Sequence, residues 1–188
     1  MHKISSRFAS GSPAQALYIR LYCASAPVLE GVKPALLFNL FKDEQTVWEE
    51  VGHTLLDDLR LDAFCVYRTK EGFSTFLFYR AASLQSHLNR PEIKAFLSSR
   101  GYPASEYLAD QLNSLKEQYQ IHQYPHEIGI FLGYPLADVR GFILHKGRDY
   151  KLRKYWKVYG DVKESLQLFT LIDLAKSRAL QSVAAYTS

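Results

Sequence analysis

Along this chain, stretches with apolar residues every three or four positions alternate with short β-rich runs. The first kind marks amphipathic helices and the second marks strands. Ala14, Leu17, Tyr18, Leu21 and Tyr22 predict a helix over Pro13–Cys23, and the prolines and glycine between Ala26 and Pro34 predict its break. Ala35–Phe41 reads as a buried strand. Residues 44–61 read as a helix with Trp48, Val51, Leu55 and Leu59 on one face. Ala63–Arg68 and Phe73–Tyr79 flank a turn at Thr69–Gly72, the pattern of a β-hairpin. About forty helical residues follow, with Pro91 in a first turn and Leu108, Leu112, Leu115 and Tyr119 forming one stripe. Two short helices bracket Gly133-Tyr134-Pro135. Tyr150–Tyr159 alternates like a strand, and Asp161 with Glu164 opens a last helix with face Val162, Leu166, Phe169, Ile172 and Ala179. This order predicts an α+β protein of one domain. A small, mostly antiparallel sheet of about four strands is expected, covered by helices on at least one face.

Residues 126–145 carry the spacing of a helix-turn-helix. Gly129 falls where two helices pass closest, Gly133 falls at the turn, and Val139 and Ile143 pack the second helix on the first. The second helix offers Ala137, Asp138, Arg140 and Gly141, of which only Arg140 suits a base edge or a phosphate. The hairpin therefore reads as a packing device first, and nucleic acid is the less favoured partner.

Charge sharpens the picture. The formal net charge is +4, but Arg140–Lys157 alone holds seven basic residues and one acid. That segment is +6 and the rest of the chain is −2. Read as a strand, Lys151–Tyr159 divides by parity. One face shows Leu152, Lys154, Trp156 and Val158; the other shows Lys151, Arg153, Tyr155, Lys157 and Tyr159. The second face interleaves cations with phenols, a surface that neutralises an anion and stacks a planar ring. Arg153, Tyr155, Lys157 and Tyr159 are the candidate ligand-binding residues.

Composition and motifs remove other classes. A chain that is 47% hydrophobic and 14% aromatic can bury a core and is not a disordered segment. The longest run without a charged residue is Phe8–Ile19, twelve residues, short of the roughly 20 that a membrane helix needs. The first thirty residues have the Ser-rich, acid-poor composition of a transit peptide, but Arg20 and the amphipathic pattern favour a helix of the mature fold. Cys23 and Cys65 lie far apart and form no CxxC, which suits a cytoplasmic protein with reduced thiols. No phosphate loop, dinucleotide fingerprint or nucleophile elbow occurs. His126-Glu127 begins like a zinc-protease motif, but Ile130 stands where the second His is required. His122 and His126 are four apart with Pro125 between them, so no metal site is expected. His126 and Glu127 remain the candidate acid and base of an enzyme that would bind substrate through Lys157. No cofactor is singled out.

The run Pro125–Ile143, followed by Tyr155-Trp156-Lys157-Val158-Tyr159-Gly160-Asp161, resembles a bacterial family designated domain of unknown function 3793, found mainly in anaerobic Gram-positive bacteria. Ala26–Ala35 and Gly101-Tyr102-Pro103 resemble its other signatures. The resemblance covers most of the chain and implies a bacterial, cytoplasmic protein without fixing a reaction. A glycine usually precedes Tyr-Trp in this family where Lys154 stands here, so the basic strand is partly particular to this chain. Together these features lead to an expected small anionic or nucleotide-like ligand, with DNA binding through the hairpin and an acid–base enzyme as alternatives.

Overall fold

The computed structural model describes residues 7–122 and 124–187. Its elements run α1 (Pro13–Leu29), β1 (Ala35–Leu40), α2 (Lys42–Leu59), β2 (Asp62–Arg68), β3 (Ser74–Tyr79), α3 (Ala81–Leu88), α4 (Pro91–Ser99), α5 (Leu108–His122), α6 (Ile128–Phe131), α7 (Leu136–Leu144), β4 (Leu152–Arg153), β5 (Lys157–Val158) and α8 (Val162–Thr187). This is the α+β class expected from the pattern.

β1, β3 and β2 form one antiparallel sheet with β3 in the centre. Every residue of β3 is buried, because both its faces are covered. Parity assigns its side chains. Phe76 and Phe78 join Leu36, Phe38 and Leu40 against α1, α2 and the end of α8, while Leu77 and Tyr79 join Ala35 and Val66 against α3–α7. The sheet is thus filled on both faces. Register slips once, between Cys65 and Tyr67.

Three expectations need correction. α1 does not break at Ala26 but runs through Pro27 to Leu29. Proline removes one helical N–H, but Ala26, Pro27, Val28 and Leu29 are all buried, and that packing outweighs the local penalty. The Pro27 carbonyl instead accepts the N–H groups of Val32 (2.8 Å) and Lys33 (3.0 Å), folding the loop back on the helix. Second, Tyr150–Tyr159 is not a strand of the sheet. It turns back on itself as the two-residue β4–β5 hairpin, pairing Leu152 with Val158 and Arg153 with Lys157. Lys154, placed with the apolar side chains by parity, is exposed in the turn. Third, Leu166 is exposed on α8, and Ser165 takes the inward position. Asp161 does cap α8, accepting from the N–H groups of Lys163 (2.7 Å) and Glu164 (3.1 Å).

Candidate functional site

α6 and α7 pack as the glycine spacing requires. A Cβ at Gly129 would stand 2.9 Å from Val139 Cγ2, and Gly133 makes the turn at φ +74°. α6 is only four residues long, so the pair is a compact corner and not two full helices. The β4–β5 hairpin lies on α7. Tyr159 sits so close over Gly141 that any Cβ there would overlap its ring and Cβ.

Asp138 holds this arrangement. It is 2% exposed, and its carboxylate accepts four hydrogen bonds. Trp156 Nε1 (2.7 Å) and Ser165 Oγ (3.2 Å) donate to Oδ2, and the N–H groups of Tyr159 and Gly160 (2.7 Å each) donate to Oδ1. One side chain thereby ties α7 to the hairpin and to the first turn of α8. Sequence reasoning placed Asp138 among the residues that the second hairpin helix would offer to a nucleic acid. The signal it missed is Gly141 three residues on, a notch on the same face as a lone acid.

Trp156 stacks on Tyr134 (centroids 4.6 Å apart, 24° between planes) and meets the edge of Phe169 at 4.4 Å. Between the hairpin and the α6–α7 corner lies a groove of about 320 Å³. Tyr134, Phe142, Tyr155 and Trp156 supply aromatic walls, His126, Arg153, Lys154 and Lys157 supply polar ones, and Asp138, its carboxylate already holding four donors, also belongs to the lining. Four of the six candidate residues therefore converge: His126, Arg153, Tyr155 and Lys157. His126 stands edge-on to Phe142, centroids 5.0 Å apart.

The other two diverge. Glu127 is 5% exposed and turns away from the groove to pair with Arg100. Burial first, and the Glu127 charge second, push the neighbouring Tyr102 phenol up. Tyr159 does not line the groove; its ring stacks on His145 at 5.5 Å.

Within the groove the cations differ. Lys157 Nζ donates to the Gly147 carbonyl at 2.7 Å and lies over the Tyr150 ring at 5.1 Å. The Arg153 side chain has no ion-pair or hydrogen-bond partner among the described residues. Tyr155 donates its hydroxyl to Asp173 Oδ1 at 2.7 Å, and desolvation with that bond pushes its pKa up to about 12. Lys154 pairs with the same carboxylate.

The exposed face of α7 is narrow. Asp138 and Gly141 lie beneath the hairpin, and Arg140 rests over Phe96 at 5.6 Å. Among the described residues no three His, Cys, Asp or Glu side chains converge to hold a metal, and no helix is long and apolar enough to cross a membrane.

No curated protein and no solved structure matches the chain. The family described as "Protein of unknown function (DUF3793)" matches residues 21–188. That span takes in the sheet, the Asp138 junction and the aromatic groove, and the chain belongs to this family.

Proposed function

We propose that the groove binds a small planar anion, such as a nucleotide or an aromatic carboxylate. The observation that carries this is the cross-strand pair Arg153–Lys157. Like charges directly opposite in a ladder destabilise it. Here they line an aromatic groove, and Lys157 is engaged by Gly147 while Arg153 is left without a partner among the described residues. An anion at Arg153 relieves the repulsion, and its ring has Tyr155, Trp156 or Phe142 to lie against. His126 offers a further hydrogen bond at the same wall. With Glu127 turned away, the acid–base reading loses its second group, so binding is favoured over catalysis. Nucleic acid is less favoured because the face of α7 that would enter a groove is covered by Tyr159. The family resemblance and the two free cysteines support a bacterial cytoplasmic setting.

The test is a thermal-shift panel of nucleotides, flavin mononucleotide and aromatic carboxylates. A ligand at 100 times its Kd adds about 2.7 kcal/mol of stability, a shift of several degrees. At least one compound is expected to stabilise the wild type and to lose that effect in Arg153→Glu, which should melt within a degree of the wild type unliganded. If no compound shifts the wild type, or if Arg153→Glu responds equally, the groove is not an anion site.

A further inference from the structure

A second groove shares Tyr134 with the first. Its volume is about 450 Å³, a size that suits a small molecule. The α1–β1 loop, the α3–α4 junction, the Gly133 turn and the first turns of α8 bound it. Lys33 enters from the loop. The Pro27 carbonyl holds its backbone N–H at 3.0 Å, and Pro34 is wedged against Gly133, so the side chain leaves a fixed base. Its Nζ stands 5.2 Å from the centre of the Tyr134 ring, a contact that favours the ammonium form.

Two opposite charges in this groove lack partners. Lys33 makes no ion pair and no side-chain hydrogen bond among the described residues. The acids beside it are taken, Glu30 by Arg178 and Glu92 by Arg90 at 2.6 Å. From α8 the charge that bears on it is another cation, Lys176. Burial first, and Lys176 second, lower the Lys33 pKa to about 8, so at pH 7 it remains an ammonium. The second unpaired charge is Glu164, in the first turn of α8. It lines the same groove, and its carboxylate has no ion-pair or hydrogen-bond partner among the described residues. The two do not pair with each other. An acid in the first turn of a helix is favoured by the helix dipole, but a partly desolvated ammonium without an anion is costly. Lys33 therefore asks for an anion, and Glu164 asks for a cation at the other end of the same ligand. Tyr134, Leu136 and Leu168 add an apolar wall.

We propose that this second groove binds a small free amino acid. Its carboxylate sits on Lys33, its ammonium on Glu164, and its side chain against Tyr134, Leu136 and Leu168. The carboxylate supplies the counter-charge that Lys33 lacks, through a charge-assisted hydrogen bond. A plain anion gains the same contact but meets the Glu164 carboxylate, and a plain amine gains Glu164 but meets Lys33. The two unpaired charges thus select a zwitterion over either half of it. This site is independent of the groove at Arg153 and of what binds there.

Isothermal titration calorimetry on the full chain tests it. The probes are L-alanine, L-leucine and 4-aminobutyrate, each beside the matching acid without its amine and the matching amine without its acid. At least one amino acid is expected to bind the wild type, with both of its single-charge analogues about tenfold weaker or worse. Glu164 is exposed, so Glu164→Gln should fold as the wild type does and bind that amino acid about tenfold more weakly, no better than the matching acid. Lys33→Gln should weaken the amino acid and the matching acid together. Arg153→Glu should bind as the wild type does, which separates this site from the first groove. The assignment is overturned if no amino acid binds the wild type, if either analogue binds as well as the amino acid, or if Glu164→Gln leaves the affinity unchanged. Loss of binding in Arg153→Glu would also overturn it, by placing the amino acid in the first groove.

Discussion

The β1–β3–β2 sheet and the β4–β5 hairpin are both antiparallel, but they hold their shape by different means. The sheet has six paired positions along each ladder and an apolar layer on each face. Its geometry is secured many times over. The hairpin has two paired positions, one of them the like-charged Arg153–Lys157. Its shape depends on what touches it: Asp138 beneath, Tyr134 stacked on Trp156, and Phe169 in a T-shaped contact with Trp156. Side chains at the tip are therefore free to be chosen for a ligand, because the ladder asks little of them. The difference implies that the groove should be able to fail without the body, but not the body without the groove.

The largest effect should come from the sheet. Phe78 on the central strand is fully buried and meets Phe38 and Trp48 edge-on. Phe78→Ala should cost about 3–5 kcal/mol, the range for removing a core aromatic ring. Urea unfolding should show a single shifted transition, with the groove lost along with the body.

Asp138→Ala should cost less in total and act locally. It strands four donors, two of them backbone N–H groups, at a cost of about 2–3 kcal/mol. Trp156 emission should move to the red, and amide exchange over 150–160 should rise while β3 stays protected. Equal exchange gains in β3 and the hairpin would mean that the two regions are one cooperative unit.

The same contrast explains what could be read from residue order alone. Helix and strand periods placed the sheet, because in a layer covered on both faces burial follows parity. Gly129 and Gly133 announced the α6–α7 corner through size and φ. The hairpin resisted because parity assumes a continuing strand, and the chain reverses at Lys154–Trp156. Arg153 and Lys157 still share a face, but as cross-strand partners and not as alternate residues. Asp138 was invisible for a physical reason. A lone charged residue on a short helix looks solvated until a distant segment covers it, and here Tyr159 covers the face of Asp138. Pro27 shows the converse, a local breaker overruled by the core that surrounds it.

The smallest effect should come from the rim of the groove. Asp173 accepts from Lys154 and from the Tyr155 hydroxyl at exposed positions, where an ion pair contributes under about 1 kcal/mol. Asp173→Asn should therefore leave unfolding at neutral pH nearly unchanged. Its signature should be in titration. The Tyr155 pKa is raised to about 12, by desolvation and then by Asp173. Between the ordinary tyrosine value near 10 and 12 the folded chain holds a proton that the unfolded chain has released. That part of the stability is whole below pH 10 and is lost as pH rises toward 12. With the carboxylate neutralised, Tyr155 should ionise closer to 10, so ultraviolet titration of Asp173→Asn should bring one phenol forward. The loss of stability above pH 10 should shrink with it. An unchanged phenol titration would show that desolvation alone sets Tyr155, and that the hairpin tip holds its tyrosine without help from α8.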